Sequence, residues 1–421
     1  MRQPRQSVTI LSTVGLLVAV SLGGGSRPAS TLASEPAAQA GAAAATQERG
    51  GQDMYGPYEV VENWLQPLPD GDDGVKHEGW TWGSQAAVFA ESPDRIWIAQ
   101  RGELPLPPGA KPWTPYAQIS PSPGAATGPR LPVMRYHHVI FVVNRDGKMI
   151  QSWPQHDKLF DQPSAPLKPR GPHKIKMSPY DPEKHVWVID DNLHQIFKFT
   201  YDGKLVMTLG QMGVEGRGPN TFARPTDIAW LPDGTFFISD GYHGKRVAKF
   251  DKDGKFLMDW GSAPADPKNP GPNEWNTVHS IGISKDRRLF VADRGHERFQ
   301  VFDENGKFLD MFQTRESHWP TGVRSQPYYH LVTDDQHLWM GDGGTQRILK
   351  YDLKGNFLYG WGQPGGRPGQ LWGPHQMSVD QDGNLYVAEV QNGRIQKFRP
   401  KRNADRAKLV GQEFRYSASR R

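Results

Sequence analysis

Apolar positions in this chain come in short runs in which aromatic or β-branched residues alternate with smaller or polar ones. The clearest are WIAQRG (97–102), WVIDDN (187–192), FISDGY (237–242), FVADRG (290–295), WMGDGG (339–344) and YVAEVQ (386–391). Period-two alternation of this kind predicts half-buried β-strands. Downstream of the first five landmarks, two apolar runs flank a polar turn that carries glycine. These read VNRDGKMIQSW (143–153), FTYDGKLVMTLG (199–210), FDKDGKFLMDWG (250–261), FDENGKFLDMF (302–312) and YDLKGNFLYGWG (351–362). The turn glycines Gly147, Gly203, Gly254, Gly306 and Gly355 are spaced by 56, 51, 52 and 49 residues. Glycine between such runs marks a hairpin, because the turn needs positive φ.

An arginine followed by an apolar strand stands between landmark and turn in several copies, as at Arg246-Val247, Arg298-Phe299, Arg347-Ile348 and Arg394-Ile395. Six copies of about four short strands at one period predict an all-β, six-bladed β-propeller, since blades repeat and sandwich strands need not. The copies resemble NHL repeats, which place an acidic turn, an Arg-Ile/Val strand and Phe-Asp-x-x-Gly-Lys-Phe in that order. The expected propeller spans 55–401, with Tyr58–Trp64 as the strand that closes the ring against the last blade. Residues 103–132 are a Pro-rich insertion in the first blade, placed to overhang one face.

The N-terminus changes the picture of location. Arg2 and Arg5 precede an apolar stretch from Val8 to Val20 and small-residue sites ending at Ala33 and Ala40. That pattern predicts a Sec-type signal peptide over 1–40, cleaved after Ala33 or Ala40, and a periplasmic or secreted protein without a membrane span. An Ala/Ser/Gly/Gln-rich leader at 41–54 reads as disordered. With no cysteine there is neither a lipobox nor a disulfide. The net charge of +5 is concentrated at the ends: residues 1–40 carry +2 and residues 400–421 carry +5, leaving −2 on the body. A nucleic-acid surface on the folded part is therefore not expected. The basic tail 402–421 reads as a solvated extension, and the protein as a monomer.

Candidate chemistry emerges when the copies are aligned. Eleven residues before each landmark stand Ala86, Thr226, His279, Tyr328 and His375, and a short insertion near Tyr180-Asp181-Pro182 delivers His173 in the second copy. Histidine thus occupies blades two, four and six at one register, so three imidazoles converge on the ring axis. Three neutral imidazoles form a zinc site with a vacant position, and a metal so held is a Lewis acid. The turn after each landmark supplies a second ring bearing Arg101, Tyr242 and Arg294. Arginine binds carboxylates through its planar fork, and a phenol near a cation has a lowered pKa and can serve as a base. Asp190, Asp240, Asp293 and Asp342 share one repeat position and read as structural turn caps.

With these segments on the page, the chain resembles the peptidyl-α-hydroxyglycine α-amidating lyases. The resemblance is carried by GPHKI (171–175), VWVIDDNLHQIFKF (186–199), residues 224–261, VHSIGI (278–283), LFVADRGHERFQVF (289–302) and GPHQMSVDQDGNLYVAE (373–389), and less closely by IWIAQRG (96–102). It implies catalytic Zn²⁺ on His173, His279 and His375, and active-site roles for Arg101, Tyr242 and Arg294. It also implies a structural Ca²⁺ held partly by the carbonyls of Val88 and Ile175. The implied substrate is a small molecule or peptide bearing a carbinolamide, N–CH(OH)–COO⁻, cleaved to an amide and glyoxylate. Tyr242 would take the hydroxyl proton, Arg101 would clamp the carboxylate, and Arg294 would assist Tyr242 or bind the second oxygen.

Two departures from the family pattern stand around the last histidine. Its Met-Pro-His-Asp is here Gly373-Pro374-His375-Gln376. Gln376 offers calcium a carbonyl oxygen without charge, and the missing methionine is expected to open space beside the zinc. Two other functions fit the repeats: a non-catalytic NHL scaffold, and a lactonase-like, metal-dependent propeller hydrolase.

Overall fold

The computed structural model describes residues 55–70, 74–106, 135–161, 171–315 and 322–416. The expected signal peptide, the leader, most of the insertion and the end of the tail lie outside the described residues. Six four-stranded antiparallel sheets form the ring. Their innermost strands are Gln85–Ser92, Lys174–Met177, Pro225–Trp230, Val278–Ile283, Pro327–Val332 and Pro374–Val379. Blade six is completed by Tyr58–Val61, which pairs with Arg394–Pro400 in the register Tyr58↔Pro400 to Val61↔Lys397. The first strand of the described residues therefore latches the last blade, within the segment Tyr58–Trp64 expected to close the ring.

The repeat pattern becomes packing in a regular way. One apolar cluster sits between each pair of adjacent blades, six in all. The outer turn of a blade rests on the blade before it. At Gly306 the backbone has φ +79°, and an added Cβ would lie 2.7 Å from the Trp260 ring of the preceding blade. The landmark aspartates are structural. Asp293 accepts Asn276 N–H at 3.0 Å and Arg298 Nε–H at 3.0 Å, while Arg298 donates on to the carbonyls of Pro270, Gly271 and Glu274. Asp240–Arg246 and Glu389–Arg394 repeat the device in blades three and six. The acidic position and the arginine of the repeat thus fasten the loop that enters blades three, four and six.

The tail, described as far as Tyr416, does not run free into solvent. Val410 N–H donates to Tyr58 Oη, Phe414 N–H to Val332 O, and Tyr416 Oη to Ser284 O. Val332 ends the innermost strand of blade five and Ser284 follows that of blade four, so residues 414–416 lie at the end of the ring opposite the histidines. Basic composition hid Val410, Phe414 and Tyr416, whose apolar surface and backbone pairing hold the segment down. Among the described residues no helix is long and apolar enough to cross a membrane.

Candidate metal centre and active site

The three histidines do meet on the axis. Their ring centroids are 4.5, 5.0 and 5.2 Å apart, and one ligand atom from each lies within 4.8 Å of the others. Each begins an innermost strand and is orientated by the next blade. His173 Nδ1 donates to Thr226 O at 2.8 Å, His279 Nδ1 to Tyr328 O at 2.5 Å, and His375 Nδ1 to Ala86 O at 3.0 Å. The acceptors are the residues that hold the same register in blades three, five and one. A carbonyl can only accept, so each Nδ1 carries the proton and each Nε2 keeps its lone pair. Second-shell bonds of this kind fix the tautomer of metal-binding histidines.

Burial pushes His173 and His375 well below the usual imidazole range. The neighbouring histidines, Lys174 and Arg101 push the same way. Both rings are therefore neutral near pH 7, as metal ligation requires. The unfolded chain takes up these protons near the ordinary value of about 6.5, so their contribution to stability is complete above that pH and is lost as pH falls. Each should contribute a slope of roughly 1.4 kcal/mol per pH unit within that window. The melting temperature of the metal-free protein is expected to fall between about pH 7 and pH 5, and calorimetry across that range would measure it.

Tyr242 arrives over the triad because Gly241 lets the chain pass Val278 O, which an added Cβ would approach to 1.4 Å. Its Oη lies 3.0 Å from His279 Nε2 and 3.2 Å from His173 Nε2, and accepts from Arg294 Nη1 at 3.4 Å. Arg101 is buried beside the triad and donates from Nε to Pro172 O at 3.0 Å, with Nη2 3.9 Å from Asp191. All six residues singled out for zinc and catalysis are thus gathered at one end of the axis. The sequence reading missed three others. Arg224 lies with Cζ 4.2 Å from the Tyr242 ring centroid, and it pairs with the buried Asp191. Gln391 fills the room that Gly373 leaves: a Cβ on Gly373, where φ is +71°, would lie 1.3 Å from its Oε1. The expected extra space beside the zinc is therefore absent. Asp191 and Gln391 stand in the same landmark turn as Arg101 and Tyr242, which is the signal that would have found them.

The residues fit zinc and do not fit calcium. Three converging Nε2 lone pairs are a donor set for a borderline transition metal. At the expected calcium position the Gln376 amide is committed to the peptide it faces, with Nε2–H donating to Ile175 O at 2.8 Å and Oε1 lying 3.5 Å from Ile175 N. The Ile175 carbonyl is thereby taken by a donor, and Val88 lies on the facing inner strand of blade one. Lysine ammoniums line the same part of the channel. Lys174 Nζ donates to His375 O at 2.9 Å and Lys176 Nζ to Ile228 O at 2.9 Å. A hard dication wants anionic oxygen ligands, and here it would meet the Lys176 ammonium and an occupied amide. Adding calcium to the zinc-loaded protein is expected to leave the melting temperature unchanged, as a thermal-shift series would show.

Comparison with known proteins agrees with this architecture. A family model described as NHL repeat matches residues 371–398, the first three strands of blade six. Peptidyl-glycine alpha-amidating monooxygenase B of Xenopus laevis is 29% identical over 252 residues, 56% of this chain and 27% of that protein. Peptidyl-alpha-hydroxyglycine alpha-amidating lyase 1 of Drosophila melanogaster is 29% identical over 246 residues, 54% of this chain and 44% of that protein. NHL repeat-containing protein 3 of Mus musculus is 28% identical over 285 residues, covering 62% and 72%. The chain thus spans about a quarter of the monooxygenase and under half of the fly lyase. The chain is a six-bladed β-propeller with an NHL repeat matched in its last blade, and the proteins it is similar to include ones named as peptidyl-alpha-hydroxyglycine alpha-amidating lyases.

Proposed function

We propose that this protein is a zinc-dependent lyase that cleaves an N-acyl-α-hydroxyglycine to an amide and glyoxylate, acting outside the cytoplasm after export. The observation that carries the reading is the placement of Tyr242 Oη against two of the three inward-facing Nε2 atoms, beneath Arg294. His173, His279 and His375 would hold zinc. When bound, zinc would supply Lewis-acid polarisation of the substrate hydroxyl oxygen.

The remaining work falls to the chain's own residues. Tyr242 takes the hydroxyl proton while the carbinol C–O becomes the carbonyl of glyoxylate. The C–N bond breaks, its electron pair goes to nitrogen, and Tyr242 returns the proton there to complete the amide. No redox cofactor is needed. Arg294 beside the phenol favours its ionised form. Arg101 offers a guanidinium for the substrate carboxylate, and Asp191 positions both Arg101 and Arg224. The test is glyoxylate release from a simple N-acyl-α-hydroxyglycine by the zinc-loaded protein. Its absence from folded, zinc-containing protein would sink this substrate class.

A further inference from the structure

A second set of three histidines lies in blade one, apart from the axial triad. His77 precedes the short strand Trp80–Trp82, and His137 and His138 lead into the strand Ile140–Val143. All three are buried, and one ligand atom from each lies within 4.8 Å of the others. Their ring centroids are 4.0 Å apart for His137 and His138, 5.2 Å for His77 and His137, and 5.9 Å for His77 and His138.

Adjacent residues of an extended chain point to opposite sides, so two neighbouring histidines do not normally share a target. Here His138 takes φ +50°, a left-handed value uncommon for a side chain of its size, which changes the direction of the backbone between the two rings. Asp157 holds that conformation by accepting His138 N–H and Val139 N–H, both at 2.9 Å. Gln100 holds it from the other side, donating to the carbonyls of His137 and His138. Strain kept in place by two independent clamps is characteristic of sites with a task.

The hydrogen bonds also select the tautomer. His77 Nδ1 lies 2.6 Å from Glu103 Oε1, and Arg135 Nε donates to Glu103 Oε2 at 2.9 Å. Because the carboxylate accepts, the His77 proton is on Nδ1 and the lone pair on Nε2. That Nε2 is buried and has no hydrogen-bond partner among the described residues. His138 Nδ1 pairs with Ser152 Oγ at 2.5 Å, a hydroxyl that can accept from or donate to it. A carboxylate behind one imidazole and a hydroxyl behind another form the second shell that orients metal-binding histidines. Three neutral imidazoles offer nitrogen donors suited to zinc or a neighbouring transition metal.

We propose that His77, His137 and His138 form a second transition-metal site, with Glu103 and Ser152 as its outer shell. Metal here ties the segment before blade one to the segment that enters its third strand. The site is distinct from the axial triad, and its occupancy does not depend on the lyase reading.

The test is zinc stoichiometry of the full mature protein after stripping with chelator and reloading with zinc, read by elemental mass spectrometry. Two equivalents are expected in the wild type, one in His77→Ala, one in His279→Ala and none in the double variant. Glu103→Gln keeps all three imidazoles and is expected to weaken the second site 10–100-fold, which competition with a chromophoric chelator reads even if His77→Ala folds poorly. In cobalt-loaded protein, His77→Ala should lose the absorption of one site while the axial site's absorption stays. A wild type that binds one equivalent, unchanged by His77→Ala, overturns the proposal. So does retention of two equivalents in that variant. Two equivalents without glyoxylate release would leave this site standing and remove only the lyase.

Discussion

Replacing His279 by alanine is expected to remove zinc from the axis and lower glyoxylate release by at least about 10³-fold, the equivalent of several kcal/mol of transition-state stabilisation. The two remaining imidazoles would leave a metal held by too few ligands to compete with water and chelators. The fold should survive. The change removes one bond to the Tyr328 carbonyl, worth about 1 kcal/mol, from a ring held together by six inter-blade cores. Zinc content and glyoxylate release measured on the same preparation decide between readings. Loss of one zinc equivalent together with the activity supports the lyase, whereas loss of that equivalent with no activity to lose returns the weight to a scaffold or a hydrolase.

Among those alternatives, a binding scaffold has the repeat architecture in its favour, and one relative is named only for its NHL repeats. It has no use for three inward Nε2 atoms held by three carbonyls of the intervening blades. A calcium-dependent hydrolase is disfavoured by the channel itself. Burial pushes the Lys174 ammonium down to about 7, yet Lys176 stays raised beside Asp227, so a cation already occupies this stretch.

What could be read from the sequence was whatever the repeat made periodic. Spacing placed His279 and His375 at one register, and the same count with the short insertion near Tyr180-Asp181-Pro182 allowed for reached His173, because a side chain at a fixed position of a blade has a fixed distance from the axis. The turn ring was half legible for the same reason: Arg101, Tyr242 and Arg294 stood out as chemically active types. Asp191 and Gln391 occupy equivalent positions but look like ordinary turn residues. Arg224 was hidden because its reach to Tyr242 depends on a left-handed backbone, φ +68°, which an arginine does not advertise. His77, His137 and His138 lie outside the repeat register, and only the folded loops bring them together. The tail's docking was masked by its charge.

Tyr242→Phe should be the most informative single-atom change. The phenylalanine ring keeps its stacking against Arg224, whose Cζ lies 4.2 Å from the centroid, so the side chain should hold its place. What is lost is the oxygen that touches His279 Nε2, His173 Nε2 and Arg294. Removing a positioned proton acceptor typically costs about 10²–10⁴ in rate. That loss should fall on kcat, with KM altered little and zinc content unchanged, because the metal's three ligands remain. Arg101→Ala should behave oppositely if it binds the substrate carboxylate, raising KM more than it lowers kcat. If Tyr242→Phe instead kept wild-type kcat, the proton would have to leave by another group or by solvent. The phenol would then be a lid over the metal rather than the base.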